Sequence, residues 1–69
     1  MKISARNQLP GTVVKITHGE ATANVTVEVA GMTMVAAITV DAMKDLGLAQ
    51  GSEVTVIVKA SDVMLATKS

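Results

Sequence analysis

The chain has 69 residues, with six basic and six acidic side chains giving a formal net charge of zero, and it contains no Cys, Phe, Tyr or Trp. This excludes a disulfide framework and a thiolate metal site, and it argues against nucleic-acid binding, which uses basic grooves and aromatic stacking platforms. A core this small supplies only about 3–5 kcal/mol unaided, yet 49% of the residues are hydrophobic and 17% charged, so self-association is the expected staple.

The single His cannot build a metal site within one chain. No apolar stretch approaches the roughly 18–20 residues that span a bilayer. The lead Met1-Lys2-Ile3 lacks the apolar core of a signal peptide. One soluble, cytoplasmic domain covering residues 1–69 is therefore expected.

The first polar stretch, Ser4-Ala5-Arg6-Asn7, carries the first chemistry. Arg6 presents five N–H donors in a planar fork with a fixed positive charge. Ser4 lies two residues away, on the same side of an extended chain, so the two can converge on an anion. Lys59-Ala60-Ser61 offers a second cation and a second hydroxyl near the other end. The alternative for each is a solvated surface charge.

Leu9-Pro10-Gly11 predicts a bulge or bend. Residues 12–17 are β-branched and read as strand. His18-Gly19-Glu20-Ala21-Thr22 reads as a loop, with His18 a solvated turn residue or a group facing a partner chain or a second anion. Residues 24–30 alternate, with Val25, Val27 and Val29 on one face and Asn24, Thr26 and Glu28 on the other. Gly31-Met32 fits a hairpin turn. Residues 33–40 are apolar on both faces, which predicts burial on both sides, with the second cover coming from another subunit.

Residues 41–46 read as a short helix. Thr39 or Asp41 caps it, Met43 and Leu46 face inward, and Gly47 ends it. Leu48 returns to the core and Gln50-Gly51 turns the chain. Residues 53–60 form a strand, Ser61-Asp62 breaks it, residues 63–66 form a short closing strand, and Thr67-Lys68-Ser69 frays. Five strands with one short helix between the third and fourth give an all-β fold with the element order of a five-stranded OB-type barrel. Periodicity leaves a small β-sandwich and an SH3-like barrel open.

Several stretches carry a family resemblance: Ser4-Ala5-Arg6-Asn7-Gln8 with Pro10-Gly11-Thr12, Ala37-Ile38-Thr39, Leu46-Gly47-Leu48 with Gly51, and Val58-Lys59-Ala60-Ser61-Asp62-Val63. In this order they resemble the molbindin (Mop) family over nearly the whole chain. The resemblance implies an OB-type domain that binds molybdate and tungstate. Similar domains serve as sensor modules in molybdate-responsive regulators and on transport ATPases, whose DNA-binding or ATPase segments are not seen here. The stand-alone cytoplasmic form is a hexamer, a trimer of dimers, with anion sites between subunits. Carried over, the pattern implies contacts from Ser4, Ala5 and Arg6 of one subunit and Lys59, Ala60 and Ser61 of a neighbour, with Thr39 as an addition. A second class of site near a threefold axis maps around Glu20, Ala21 and Thr22.

The expected role is thus a cytoplasmic molybdate- or tungstate-binding protein in molybdenum storage or homeostasis. It has no organic cofactor, no metal held directly by side chains, and no nucleic-acid or membrane partner. The alternatives are an OB-fold nucleic-acid module and a purely structural oligomerisation domain. No nucleophile–base pair points to an enzyme.

Overall fold

The first strand of the computed structural model, which describes residues 2–68, is twice the length of the β-branched run within it. β1 spans Asn7–His18. Its first half is antiparallel to β4 (Glu53–Val58), with Asn7 opposite Val58 and Thr12 opposite Glu53. Its second half pairs with β2 (Thr22–Val29), from Thr12 opposite Glu28 to His18 opposite Ala23. Residues 7–11 therefore pair on one side only, and that open side tolerates Pro10, which has no N–H to give.

The bulge expected at residues 9–11 falls a few positions later. Val13 opposes Val27 but Lys15 opposes Thr26, so Val14 is the extra residue and turns outward. Gly11 has a different task, lying where β1 crosses closely over Val27, Glu28 and Val29.

β2 keeps the predicted alternation. Ala23, Val25, Val27 and Val29 are buried, while Asn24 and Glu28 are exposed. The turn that follows is Ala30-Gly31, one residue earlier than expected, with φ of 51° and 80°. Positive φ at both central residues matches the right-handed twist of a tight hairpin. β3 (Met32–Thr39) returns along β2, with Val27 opposite Met34 and Val25 opposite Ala36.

The strand order is β3-β2-β1-β4. Among the described residues there are four strands and the sheet does not close, so the fold is mostly β with one short helix, consistent with an OB-like fold, and no fifth strand forms within the chain. Residues 63–66, assigned above to a closing strand, join no strand. A 3₁₀ turn over Ala60–Asp62, held by Asp62 N–H to the Lys59 carbonyl (2.9 Å) and Val63 N–H to the Ala60 carbonyl (3.2 Å), ends the run that starts in β4. Beyond it Met64 and Leu65 are 92% and 94% exposed. β3 is likewise uncovered on one face within the chain: Met32 and Val35 are each 65% exposed, where the second cover was expected from another subunit.

Helix α1 (Val40–Asp45) follows β3 directly. Of the two candidate caps Thr39 is the one used, its Oγ1 accepting from the Ala42 N–H at 3.0 Å. Val40 and Met43 face inward, but Leu46, which follows the last helical residue Asp45, is 69% exposed, a second step of three residues having drifted off the stripe of a helix with 3.6 residues per turn. Gly47, at φ 64°, ends the helix and donates to the Lys44 carbonyl. Ile16, Ile38 and Leu48 pack between the valine cluster of Val13, Val25, Val27 and Val29 and a second cluster of Ala23, Val40 and Met43. No helix among the described residues is long and apolar enough to cross a membrane.

A helix of six residues has no stability of its own, so its cap matters. Thr39→Ala should cost about 1 kcal/mol, lowering the thermal midpoint by about 4–8 °C in a domain of this size. Thermal denaturation followed by circular dichroism reads this directly.

Candidate functional site

The register of β1 against β4 builds the site. Asn7 lies opposite Val58, and its Nδ2 donates to the Val58 carbonyl at 3.1 Å. Antiparallel strands bring the residue before one partner beside the residue after the other, so Arg6 meets Lys59. Gln8 Nε2 donates to the Ala5 carbonyl at 2.9 Å, tying the lead to the start of β1. On the other side the 3₁₀ turn folds Ala60 and Ser61 back toward the lead.

The result is an open groove of about 470 Å³ lined by Ile3, Ser4, Ala5, Arg6, Ile57, Lys59, Ala60 and Ser61. Six of the seven residues expected at the main site are here. Within one chain a single backbone register already joins the two segments, of which Lys59, Ala60 and Ser61 were expected to serve a neighbour. The polar side chains at the rim are one guanidinium, one ammonium and two hydroxyls, and no carboxylate lines the groove. Ser4, Arg6, Lys59 and Ser61 are all exposed. Such a set can surround an acceptor-only anion with charge-assisted donors.

Ile3 and Ile57 form apolar walls that the sequence reading missed. Ile57 had a signal, since it lies two residues before Lys59 and so shares its face in an extended strand.

Thr39 stands apart. It lies at the far end of β3, on the opposite edge of the sheet, where it opposes Thr22. Glu20 and Ala21 lie in the β1–β2 connection and Thr22 opens β2, and all three are exposed. Their backbone is engaged, with the Gly19 N–H bonding the Thr22 carbonyl at 3.0 Å and the Val40 N–H bonding the Ala21 carbonyl at 2.8 Å. The fold thus joins Thr39 to the second candidate group rather than to the first. His18 ends β1 nearby, exposed, its Nδ1 3.0 Å from the Gly19 carbonyl.

A larger concavity of about 810 Å³ runs past Pro10, Gly11, Thr12 and Val14. Glu28 and Glu53 both line it, each opposite Thr12, and two carboxylates make it a poor seat for an anion. No cluster of three or more potential metal ligands occurs among the described residues.

A family model described as the TOBE domain matches residues 3–65. The chain belongs to the TOBE domain family. The matched span of this TOBE domain includes every residue of the groove. It is 47% identical over 66 residues to the molybdenum-pterin-binding protein 3 of Clostridium pasteurianum, covering 94% of this chain and 97% of that one. Its fold superposes with a TM-score of 0.93 on a molybdate-binding protein from Sporomusa ovata, at 42% identity, covering 97% of this chain and all of the other. It also matches ModG, described as a cytoplasmic molybdate-binding protein, with a TM-score of 0.82 and 36% identity, covering 94% of this chain and 53% of that one. The resemblance to the molybdenum-binding Mop proteins drawn from the sequence motifs is borne out.

Proposed function

We propose that this TOBE domain is a cytoplasmic binding protein for molybdate or tungstate, acting in molybdenum storage or homeostasis and not as an enzyme, with the groove at Ser4–Arg6 and Lys59–Ser61 as its principal site. The observation that carries the reading is the all-donor rim: two cations and two hydroxyls around one groove with no carboxylate. Relatives named for molybdenum-pterin and molybdate binding support it.

Molybdate at neutral pH is a tetrahedral dianion with four acceptor oxygens and no proton. An all-donor cage satisfies it fully. Phosphate near neutrality carries at least one proton, and that O–H would face donors alone, at about 1–3 kcal/mol for one unpaired polar group. Sulfate has the right charge but is smaller, so cage size must reject it. Molybdate and tungstate are nearly equal in size, and the site should separate them poorly.

The groove is open, and its donors reach solvent in a single chain. A second copy supplies the missing wall in this reading, so the sites lie between subunits of a homo-oligomer, a hexamer by the family pattern. Thr39 contributes only from such a copy, its Oγ1 still holding a proton to donate while it accepts from the helix. Glu20, Ala21 and Thr22 remain the place for a second class of site.

Binding to the folded assembly alone stabilises it by mass action, about 2.7 kcal/mol at a ligand concentration one hundred times Kd. Saturating molybdate or tungstate should therefore raise the thermal midpoint by about 10 °C or more, with phosphate and sulfate having little effect. A melting curve that molybdate leaves in place would overturn the proposal.

A further inference from the structure

Two isoleucines are left over once the fold has taken its core. Along β4, Val54 and Val56 pack against the valine cluster, so Ile57 falls on the other face, with Glu53 and Thr55. It is nonetheless half-buried, and it joins neither core cluster. Ile3 precedes the first strand, is 45% exposed and joins neither cluster either. Both side chains line the groove of Arg6 and Lys59. The strand pairing keeps them there. Ile57 lies opposite Gln8, and the bond from Gln8 Nε2 to the Ala5 carbonyl holds the lead beside β4.

We propose that Ile3 and Ile57 are the specificity-determining residues of the groove, selecting molybdate and tungstate over sulfate by presenting a stiff wall that cannot stand in for water. The inference rests on the anion reading in the proposed function and names how that site discriminates. The polar rim does not discriminate by itself. Sulfate has the same charge and shape as molybdate and accepts from the same donors. Arg6 and Lys59 are exposed, and their side chains are long with many rotamers, so they can follow a smaller anion inward. Isoleucine is β-branched and restricted at χ1, so the apolar wall keeps its place. An anion held against that wall gives up the water on that side, and hydrocarbon returns no hydrogen bond. The loss is greatest for the smallest dianion, whose charge is most concentrated and whose water is held most tightly. Sulfate therefore loses more than molybdate or tungstate, and those two, nearly equal in size, stay unseparated.

The test is the ratio of molybdate to sulfate affinity, read by titration calorimetry of the full chain with sodium molybdate, alone and in competition with sodium sulfate. Ile57→Thr and Ile3→Thr should each lower that ratio by about tenfold, the scale on which small changes in an apolar pocket alter selectivity. Ile57→Val, which has the shape of Ile57→Thr but stays apolar, should keep most of the parental ratio. Circular dichroism reports whether each variant is folded. Ile3 lies outside both core clusters, so Ile3→Thr keeps the test decisive should Ile57→Thr unfold. Affinities for the two anions that fall together, leaving the ratio in place, would overturn the inference and leave the anion reading standing. Equal losses of ratio in Ile57→Val and Ile57→Thr would also overturn it, since size and not exclusion of water would then select. A parent that binds molybdate no better than sulfate would overturn the anion reading and the inference together.

Discussion

Replacing Arg6 with alanine should weaken molybdate binding by about ten- to a hundredfold while the unliganded protein melts at its usual temperature. Arg6 lies at the rim of the groove with its side chain exposed, so no buried packing is lost. What is lost is a charged, multi-toothed donor. Hydrogen bonds to a charged group contribute about 1.5–3 kcal/mol, and each 1.4 kcal/mol is about a tenfold change in Kd. Arg6→Lys keeps the charge but not the planar fork, so it should recover only part of the affinity. Titration calorimetry with molybdate, beside a thermal melt of each variant, separates lost binding from lost folding. Undiminished affinity in Arg6→Ala would remove Arg6 from the site.

The largest effect on stability is expected at a residue with no side chain. A Cβ added at Gly11 would sit 2.6 Å from Val27 Cγ1, 3.0 Å from the Glu28 carbonyl oxygen and 3.0 Å from Val29 Cγ2. Val27 and Val29 are core residues, 3% and 4% exposed, and the carbonyl is backbone, so none of the three can swing aside cheaply. Overpacking of this kind costs about 1–3 kcal/mol, against the roughly 3–5 kcal/mol that a core of this size supplies. Gly11→Ala should therefore leave a marginal protein, its urea midpoint falling by a third or more. Gly19→Ala is the matched control, since a Cβ there meets nothing within 4 Å, and it should unfold like the parent. Equal stabilities for the two variants would show that β1 can shift away from β2 at the crossing.

Gly11 shows where reading a sequence stops. Proline followed by glycine announces a break in a strand, and a bulge was expected there. The strand instead continues through both residues, and the extra residue is Val14, which has no distinguishing chemistry. Proline survives because one side of β1 is open at that point, and glycine is needed because another strand passes close by. Both reasons lie in strands distant along the chain. Leu46 differs for a local reason: it follows Met43 at helical spacing but falls beyond the last helical residue, Asp45, and turns outward.

Sequence alone determined what depends on neighbours along the chain. Alternating valines gave the inward face of β2, Thr39 and Asp41 were the two legible candidates for the helix cap, and Ser4, Arg6, Lys59 and Ser61 gave the donor chemistry of the candidate groove. The tertiary structure decided what depends on pairing. The register of Asn7 against Val58 brought the two donor segments side by side, and the strand order left Thr39 on the opposite edge and residues 63–66 without a place in the sheet. The physical reason is that side-chain periodicity reports which way a residue faces and says nothing of which remote backbone will lie beside it.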